Sequence, residues 1–291
     1  MANIYEFYDD IENGSAPAFD SDAAYSFLDT HTDPVVRSRA SHWAGDIDDE
    51  FFWGCLEPYQ GANGGFKGGI DPDYQGDVGS IHSTIEAMRI LVAHQLYEGP
   101  MLDRAFEFLR SNALPDGSWQ EIPEVLNTPQ CPEWYRPAQF RICETSLISG
   151  YAQLLGAFDL WSSGAKYVRQ AWINMPISDN PTPYWAVLLL LGRSTTSADR
   201  SIVLDALDNL SGFVRKHEID PYDCTAIIEV LNDLDLPECE TLLKQLVAML
   251  GAAQDPDDGG IRTAYGSALR PAATFNALIS AAMMMQRGLL K

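Results

Sequence analysis

The chain has 291 residues, 46% of them hydrophobic and 21% charged, which is the composition of a globular protein and excludes a largely disordered one. Its 41 acidic and 19 basic residues give a formal net charge of −22 at pH 7, which opposes binding to nucleic acids and to anionic lipid headgroups. The five cysteines, odd in number and without C-x-x-C spacing, argue against a disulfide framework and a zinc knuckle, and no apolar run reaches the roughly 20 residues of a transmembrane helix.

Apolar residues recur along the chain with the period of a helix rather than that of a strand. The acidic start, residues 1–6, has no basic end followed by an apolar run, so we expect no secretory signal and a cytoplasmic protein. Further along, the segments 85–92 and 227–234 predict strongly apolar helices. The segments 102–109 and 242–249 predict helices that carry more charge and are expected on the outside.

Loops rich in glycine and aspartate, at residues 63–66, 114–119 and 254–261, separate the two kinds of helix. Each apolar helix opens on a similar short phrase: Ser83-Thr84-Ile85-Glu86-Ala87, Glu144-Thr145-Ser146-Leu147, Cys224-Thr225-Ala226-Ile227 and Ala273-Thr274-Phe275-Asn276-Ala277. With Trp185 in the place of a further threonine, the phrases start roughly 40 to 60 residues apart, the length of one helical hairpin with its loops.

A helical hairpin can bury its apolar face only against neighbouring hairpins. We therefore expect an all-α protein, an α/α toroid in which about five or six hairpins close into a ring of inner and outer helices. Residues 1–291 are expected to form one domain around a largely apolar cavity. The proline-rich stretch 121–137 interrupts the repeat and is expected to be a long loop that caps this cavity.

The sequence GGFKGG at residues 64–69, before IHSTIEA at residues 81–87, resembles the protein prenyltransferase β subunits and the terpenoid cyclases. The resemblance spans most of the chain and rests on the repeated helix starts and on the Gly-Gly-Phe and Asp-Gly-Ser-Trp loops. It implies an α/α toroid that binds long isoprenoids in an aromatic-lined central cavity. Members of this family either prenylate a cysteine with zinc or cyclise a polyene by protonation.

The prenyltransferase branch ligates zinc through an aspartate, a cysteine and a histidine. Asp223 and Cys224 offer the first two ligands, at adjacent rather than alternate positions, but the last repeat, residues 269–274, has no histidine where the family needs one. His82 belongs to a different inner helix. The resemblance therefore favours neither a zinc site nor a partner α subunit.

The cyclase branch uses a D-x-D-D motif at the start of an inner helix, where a protonated aspartate donates its proton to an alkene. Asp46-Ile47-Asp48-Asp49 matches this motif literally, with Asp48 at the donor position and Asp46 and Asp49 beside it. The helix that follows runs directly into the Gly-Gly loop, however, which makes it an outer helix. Capping of that helix is the alternative interpretation of these acids.

A second candidate, DPYDCTA at residues 220–226, opens an inner helix and resembles the cyclase phrase D-x-D-D-T-A. It places Asp223 at the donor position, with Asp220 one residue before the expected first aspartate, and departs from the phrase at Pro221 and Cys224. A carboxyl group beside another carboxylate or in an apolar cavity has a raised pKa and remains an acid near neutral pH. We expect Asp223 to be the proton donor, and helix capping is again the alternative.

A carbocation intermediate needs aromatic faces, which stabilise it without offering a nucleophile. Basic residues at the same rim would bind a diphosphate. Packing is the alternative role of such aromatic side chains. We expect the following residues to bind substrate: Trp119, Trp134, Tyr135, Tyr184, Trp185, Tyr222, His82, Arg141 and Arg270.

Together these features predict an enzyme, a class II terpene cyclase that acts on a linear prenyl chain or a prenyl diphosphate. We expect no cofactor, apart from Mg²⁺ if the substrate carries a diphosphate, and no nucleic acid or obligatory α subunit as partner. The alternatives are a protein prenyltransferase-like protein, a non-catalytic isoprenoid or lipid carrier, and a carbohydrate-active enzyme that pairs acids such as Asp223 and Glu144.

Overall fold

The computed structural model of the protein describes residues 8, 11, 18–31, 33–136, 141–175, 177–234 and 236–290. Contacts between Cα atoms group the chain into two compact units: a terminal unit of Met1–Arg37 and Leu207–Lys291, and a central unit of Ser38–Ala206. The single domain of residues 1–291 stays a prediction. Pro137, the last residue of the expected capping stretch, lies outside the described residues.

Regular structure in the described residues is helical, with two isolated β-bridges. The α-helices are α1 (Ser21–Thr30), α2 (Pro34–Ala44), α3 (Asp49–Leu56), α4 (Ile81–Ala93), α5 (Pro100–Ser111), α6 (Pro123–Leu126), α7 (Arg141–Leu154), α8 (Phe158–Trp172), α9 (Thr182–Leu191), α10 (Ser197–Arg215), α11 (Pro221–Asn232), α12 (Pro237–Ala253) and α13 (Arg270–Gln286). Short 3-10 turns lie at Glu57–Tyr59, Glu133–Tyr135 and Ser267–Leu269. No helix among the described residues combines the length and the apolar character needed to cross a membrane.

The helices predicted as apolar pack on one another inside each unit. In the central unit, α7 contacts both α4 and α9, and α8 covers α7 and α9. Helix α9 is buried at every residue from Pro183 to Leu191, whereas α8 buries only one stripe. In the terminal unit, α11 contacts α12 and α13, and α13 contacts α1.

Each of the three Gly-rich loops is hydrogen-bonded to a threonine hydroxyl of the apolar helix that follows it. The hydroxyl accepts a hydrogen bond from a loop amide: Phe66 to Thr84 at 3.0 Å, Trp119 to Thr145 at 3.1 Å and Ile261 to Thr274 at 2.8 Å. Each hydroxyl also donates to the carbonyl four residues earlier in the chain. The threonine of the repeated phrase therefore makes a buried hydrogen bond that fixes the loop against the helix that follows it.

The loops before α4 and α13 dock in the same way on a neighbouring helix. Gln60 donates to a carbonyl of its own loop and to that of Met101 in α5, each across 2.8 Å. Gln254 likewise donates to its own loop at 2.9 Å and to the carbonyl of Asp20, the N-cap of α1, at 2.8 Å. Helix α1 therefore has the same relation to the last loop that α5 has to the first.

Candidate active site

A histidine and a glutamate meet where α4 and α7 begin. His82 is the second residue of α4, and Glu144 lies in the first turn of α7. Nε2 of His82 lies 2.8 Å from Oε1 of Glu144, and the two side chains are only 11% and 4% exposed. Because α4 and α7 pack on each other, the pair joins the first turns of two adjacent helices.

Glu121, the first residue of the stretch 121–136, caps α4. Its carboxylate accepts hydrogen bonds from the backbone N–H groups of Ile81 at 2.9 Å, His82 at 3.2 Å and Ile122 at 2.9 Å. Burial raises the pKa of Glu121, although the charge of His82 and the three N–H groups work against that rise. The carboxylate thus occupies the positive end of α4 and holds the start of the stretch 121–136 against it.

Asp71 lies in the loop before α4 and receives a short hydrogen bond from Tyr135. The Tyr135 hydroxyl donates to Oδ2 of Asp71 across 2.6 Å; Tyr135 is buried, and Asp71 is half-buried. Burial raises the pKa of Asp71 to about 6, although the hydrogen bonds from Tyr135 and from the Asp73 backbone, and the charge of His82, lower it. A carboxyl group with this pKa keeps its proton in part of the molecules near neutral pH, as a general acid must.

Aromatic rings pack against Tyr135, the hydrogen-bond partner of this carboxyl group. The ring of His82 stacks on that of Tyr135, with centroids 4.0 Å apart and planes 24° apart. Trp134, 42% exposed, meets both rings edge-on at 4.9 and 4.6 Å. Burial disfavours a charged His82, but the contact with Glu144 and the nearby carboxylates outweigh it, and the pKa of His82 is raised. The site combines a carboxyl group and a histidine that both have raised pKa values with two aromatic side chains.

The predicted donor Asp223 lies in the first turn of α11, in the terminal unit. Its Oδ2 accepts a hydrogen bond of 2.6 Å from the hydroxyl of Tyr265. Asp220 is the N-cap of α11 and accepts three hydrogen bonds of 2.8 Å each, two from backbone N–H groups and one from the hydroxyl of Thr263. Burial raises the pKa of Asp220, and these bonds oppose the rise. The contacts of Asp220 are those of a capping residue.

The literal motif Asp46, Asp48 and Asp49 lies at the start of α3, and all three side chains are exposed. Asp48 is the N-cap of α3 and accepts a hydrogen bond from the backbone N–H of Phe51 at 2.9 Å. Asp49 lies 2.9 Å from Nε2 of His42. An exposed carboxylate lacks the dry surroundings that a proton donor to an alkene needs.

The aromatic residues expected to bind substrate lie in different environments. His82, Trp134 and Tyr135 contact one another, and Tyr135 binds Asp71. Trp119 is fully buried, and its indole N–H donates to the carbonyl of Leu109 at 2.8 Å. Tyr184 and Trp185, in the first turn of α9, are 1% and 6% exposed. Tyr222 lies edge-on to Tyr265, with centroids 6.5 Å apart.

The two arginines expected to bind substrate have matching environments in two repeats. Arg141 pairs with both carboxylate oxygens of Asp116, at 2.8 and 2.6 Å, and Arg270 with both of Asp258, at 3.0 and 2.7 Å. Each guanidinium also lies over an aromatic ring, 5.3 and 5.0 Å from its centroid. A diphosphate at either arginine would therefore compete with an aspartate of the same repeat.

Sequence reasoning missed Asp71 and Glu121. The D-x-D-D motif places its acids at the start of a helix, whereas Asp71 lies within the loop that precedes α4. The available signal was the pair Asp71 and Asp73, two acids that follow the Gly-Gly loop and precede the helix of His82. Among the residues that the structure describes, no group of three or more His, Cys, Asp or Glu side chains is arranged to hold a metal ion.

No protein-family profile matches the chain, and no curated protein matches it by sequence. Three similar solved structures are two variants of the type II terpene cyclase MstE from Scytonema and a protein from Actinoplanes. The apo tyrosine variant of MstE has a TM-score of 0.55 and 12% identity, covering 97% of this chain and 100% of that chain. The arginine variant, in complex with the substrate geranylgeranyl dihydroxybenzoate, has a TM-score of 0.57 and 13% identity, and the match covers 96% of this chain and 99% of that chain. The Actinoplanes protein has a TM-score of 0.52 and 15% identity, and the match covers 87% of this chain and 90% of that chain.

At these identities the likeness concerns the fold. The chain has an all-α fold of the α/α toroid class, as the sequence predicted. The cluster of Asp71, His82, Glu121, Tyr135 and Glu144 lies in the central unit of this helical fold.

Proposed function

We propose that this protein is a class II terpene cyclase that protonates an alkene of a linear prenyl chain, with Asp71 as the acid. The observation that carries the proposal is a half-buried carboxyl group whose pKa burial raises to about 6 and which Tyr135 binds across 2.6 Å. The fold supports the reaction class. Structures of MstE variants hold geranylgeranyl dihydroxybenzoate as substrate and merosterolic acid A as product.

In the proposed reaction, the proton of Asp71 moves to one carbon of a double bond, whose electron pair forms the new C–H bond. The other carbon becomes a cation, which the next double bond of the chain attacks to close a ring, and the positive charge passes to a carbon further along the chain. The last cation loses a proton to water, and Asp71 takes up a proton from solvent, so that protons and charge balance over one turnover. The Tyr135 hydroxyl and the charge of His82 stabilise the carboxylate that Asp71 becomes. The ring of Trp134, which is 42% exposed, stabilises the cation without reacting with it.

Asp223 stays the alternative acid. A tyrosine hydroxyl binds it across 2.6 Å, as Tyr135 binds Asp71. Asp223 also opens an apolar helix, as the cyclase phrase requires. The proposal prefers Asp71 because its tyrosine stacks on His82, a histidine whose pKa is raised.

Incubation of the purified protein with linear prenyl diphosphates, squalene and geranylgeranylated phenols, followed by mass spectrometry of the products, tests this proposal. We expect a cyclised product from at least one substrate, and its loss in Asp71→Asn but not in Asp223→Asn or Asp48→Asn. Loss only in Asp223→Asn would transfer the role to Asp223, and loss only in Asp48→Asn would restore the literal motif. Unchanged substrate in every incubation of folded protein would contradict the cyclase, and tight binding without turnover would identify a carrier.

A further inference from the structure

Three contacts in series connect Glu144 to the proposed acid. Oε1 of Glu144 lies 2.8 Å from Nε2 of His82, the His82 ring stacks on Tyr135 at 4.0 Å, and the Tyr135 hydroxyl donates to Asp71 at 2.6 Å. Resting on the function proposed above, we propose that Glu144 is a positioning residue. It holds a charged His82 against Tyr135 and thereby sets the acid strength of Asp71.

The position of this pair is costly for the fold. Removing a carboxylate and an imidazolium from water costs several kcal/mol per ion, by order of magnitude, and well-packed apolar residues in their place are often no less stable. Glu144 is 4% exposed and His82 11% exposed, so neither charge is well solvated. A role in the chemistry gives this pair a function that stability does not require.

Three carboxyl groups face His82, each from a different element: Glu144 from α7, Glu121 from the stretch 121–136, and Asp71 from the loop before α4. Glu121 uses its oxygens to accept three backbone hydrogen bonds at the start of α4. Glu144 is the carboxylate in direct contact with the imidazole. Glu144 is therefore the group whose removal most weakens the charge on His82.

The sign of the effect on Asp71 follows from its own surroundings. Asp71 is faced by the Tyr135 hydroxyl, by the charge of His82, and by the backbone N–H and side chain of Asp73. The charge of His82 lowers the pKa of Asp71, because it favours the ionised carboxylate. Without Glu144, burial disfavours the charged form of His82 with less opposition, so Asp71 becomes a weaker acid that keeps its proton to a higher pH.

The first experiment measures the pH–rate profile of cyclisation in Glu144→Gln. We expect the maximal rate to fall by up to about tenfold for each unit by which the pKa of Asp71 rises, because a weaker acid transfers its proton more slowly. The alkaline limb should move to higher pH by about half a unit or more, because Asp71 stays protonated longer. The rate and the alkaline limb of Glu144→Asp should lie between those of Glu144→Gln and those of the unsubstituted protein. Damage to packing alone would lower the rate without moving the limb, and an unmoved limb in Glu144→Gln would overturn the proposal.

The second experiment needs no substrate. NMR titration of the imidazole signals, with His82 assigned through His82→Asn, should give a lower pKa for His82 in Glu144→Gln than in the unsubstituted protein. The matched control is Glu107→Gln, which removes an exposed carboxylate paired with Arg110 in α5 and should leave His82 unchanged. An unchanged pKa of His82 in Glu144→Gln would overturn the proposal whatever the activity. An active Asp71→Asn together with a lowered His82 pKa would overturn the acid assignment but still support the hold of Glu144 on His82.

Discussion

The hydroxyl of Tyr135 donates to the carboxylate of Asp71 across 2.6 Å and links residues 64 positions apart in the sequence. This bond lowers the pKa of Asp71, because it stabilises the ionised form. We expect Tyr135→Phe to lower the maximal cyclisation rate about tenfold and to move its alkaline limb to higher pH. Tyr265→Phe removes the corresponding donor from Asp223 and serves as the control. A limb that moved only in Tyr265→Phe would assign the acid to Asp223.

Ionisation of Asp71 destabilises the fold. Its pKa of about 6 lies above the ordinary 3.8, so the folded protein holds this proton more tightly than the unfolded chain does. The stabilising contribution is complete below pH ~4 and is lost as the pH rises through about 6. We expect Asp71→Asn, which cannot ionise, to raise the free energy of unfolding by about 1–3 kcal/mol at pH 8 and to have little effect near pH 4. Urea unfolding at both pH values measures this, and an equal effect at both would contradict it.

The repeat was predictable because its signals are local. Glycine loops recur before the helix starts that contain Thr84, Thr145 and Thr274. In the structure each of these threonines accepts an equivalent hydrogen bond from the amide of its loop. Asp71 was not predictable in the same way. Its raised pKa depends on burial and on Tyr135, which the sequence places far away. A D-x-D-D motif records the order of residues and not their burial, so its literal match falls on the exposed Asp48, the alternative to the predicted donor Asp223.

The hydrogen bond between a loop amide and a helix threonine is expected to stabilise the fold, and removing it should lower the free energy of unfolding. Thr84→Val leaves the amide N–H of Phe66 buried without its acceptor, which costs about 1–3 kcal/mol. Thr241→Val, on the exposed side of α12, is the control for the lower helix propensity of valine. Urea unfolding should show a clear loss in Thr84→Val and a change within about half a kcal/mol in Thr241→Val. Equal losses in the two variants would mean that the hydrogen bond does not stabilise the loop.

Two glycines with left-handed backbone conformations allow the cost of backbone strain to be measured apart from the cost of close packing. Gly64 and Gly156 have φ of +91° and +85°. A Cβ at Gly64 would lie 2.8 Å from the carbonyl oxygen of Arg104, whereas one at Gly156 would meet nothing within 4 Å. We expect Gly156→Ala to cost about 1–2 kcal/mol from the backbone alone, and Gly64→Ala about 1–3 kcal/mol more. Thermal unfolding of the two variants compares them, and a Gly64→Ala no worse than Gly156→Ala would contradict the close approach.

Gln254 holds the carbonyl of Asp20 across 234 positions of sequence. During synthesis, Asp20 and α1 leave the ribosome long before their partner loop exists. The central unit consists of Ser38–Ala206 and can acquire its contacts earlier. The terminal unit, in contrast, can take α1 only after Gln254 has been synthesised, so its assembly is a late step. Until then α1 has an apolar face without its native partner, and a slowed or interrupted translation leaves that face open to chaperones and proteases.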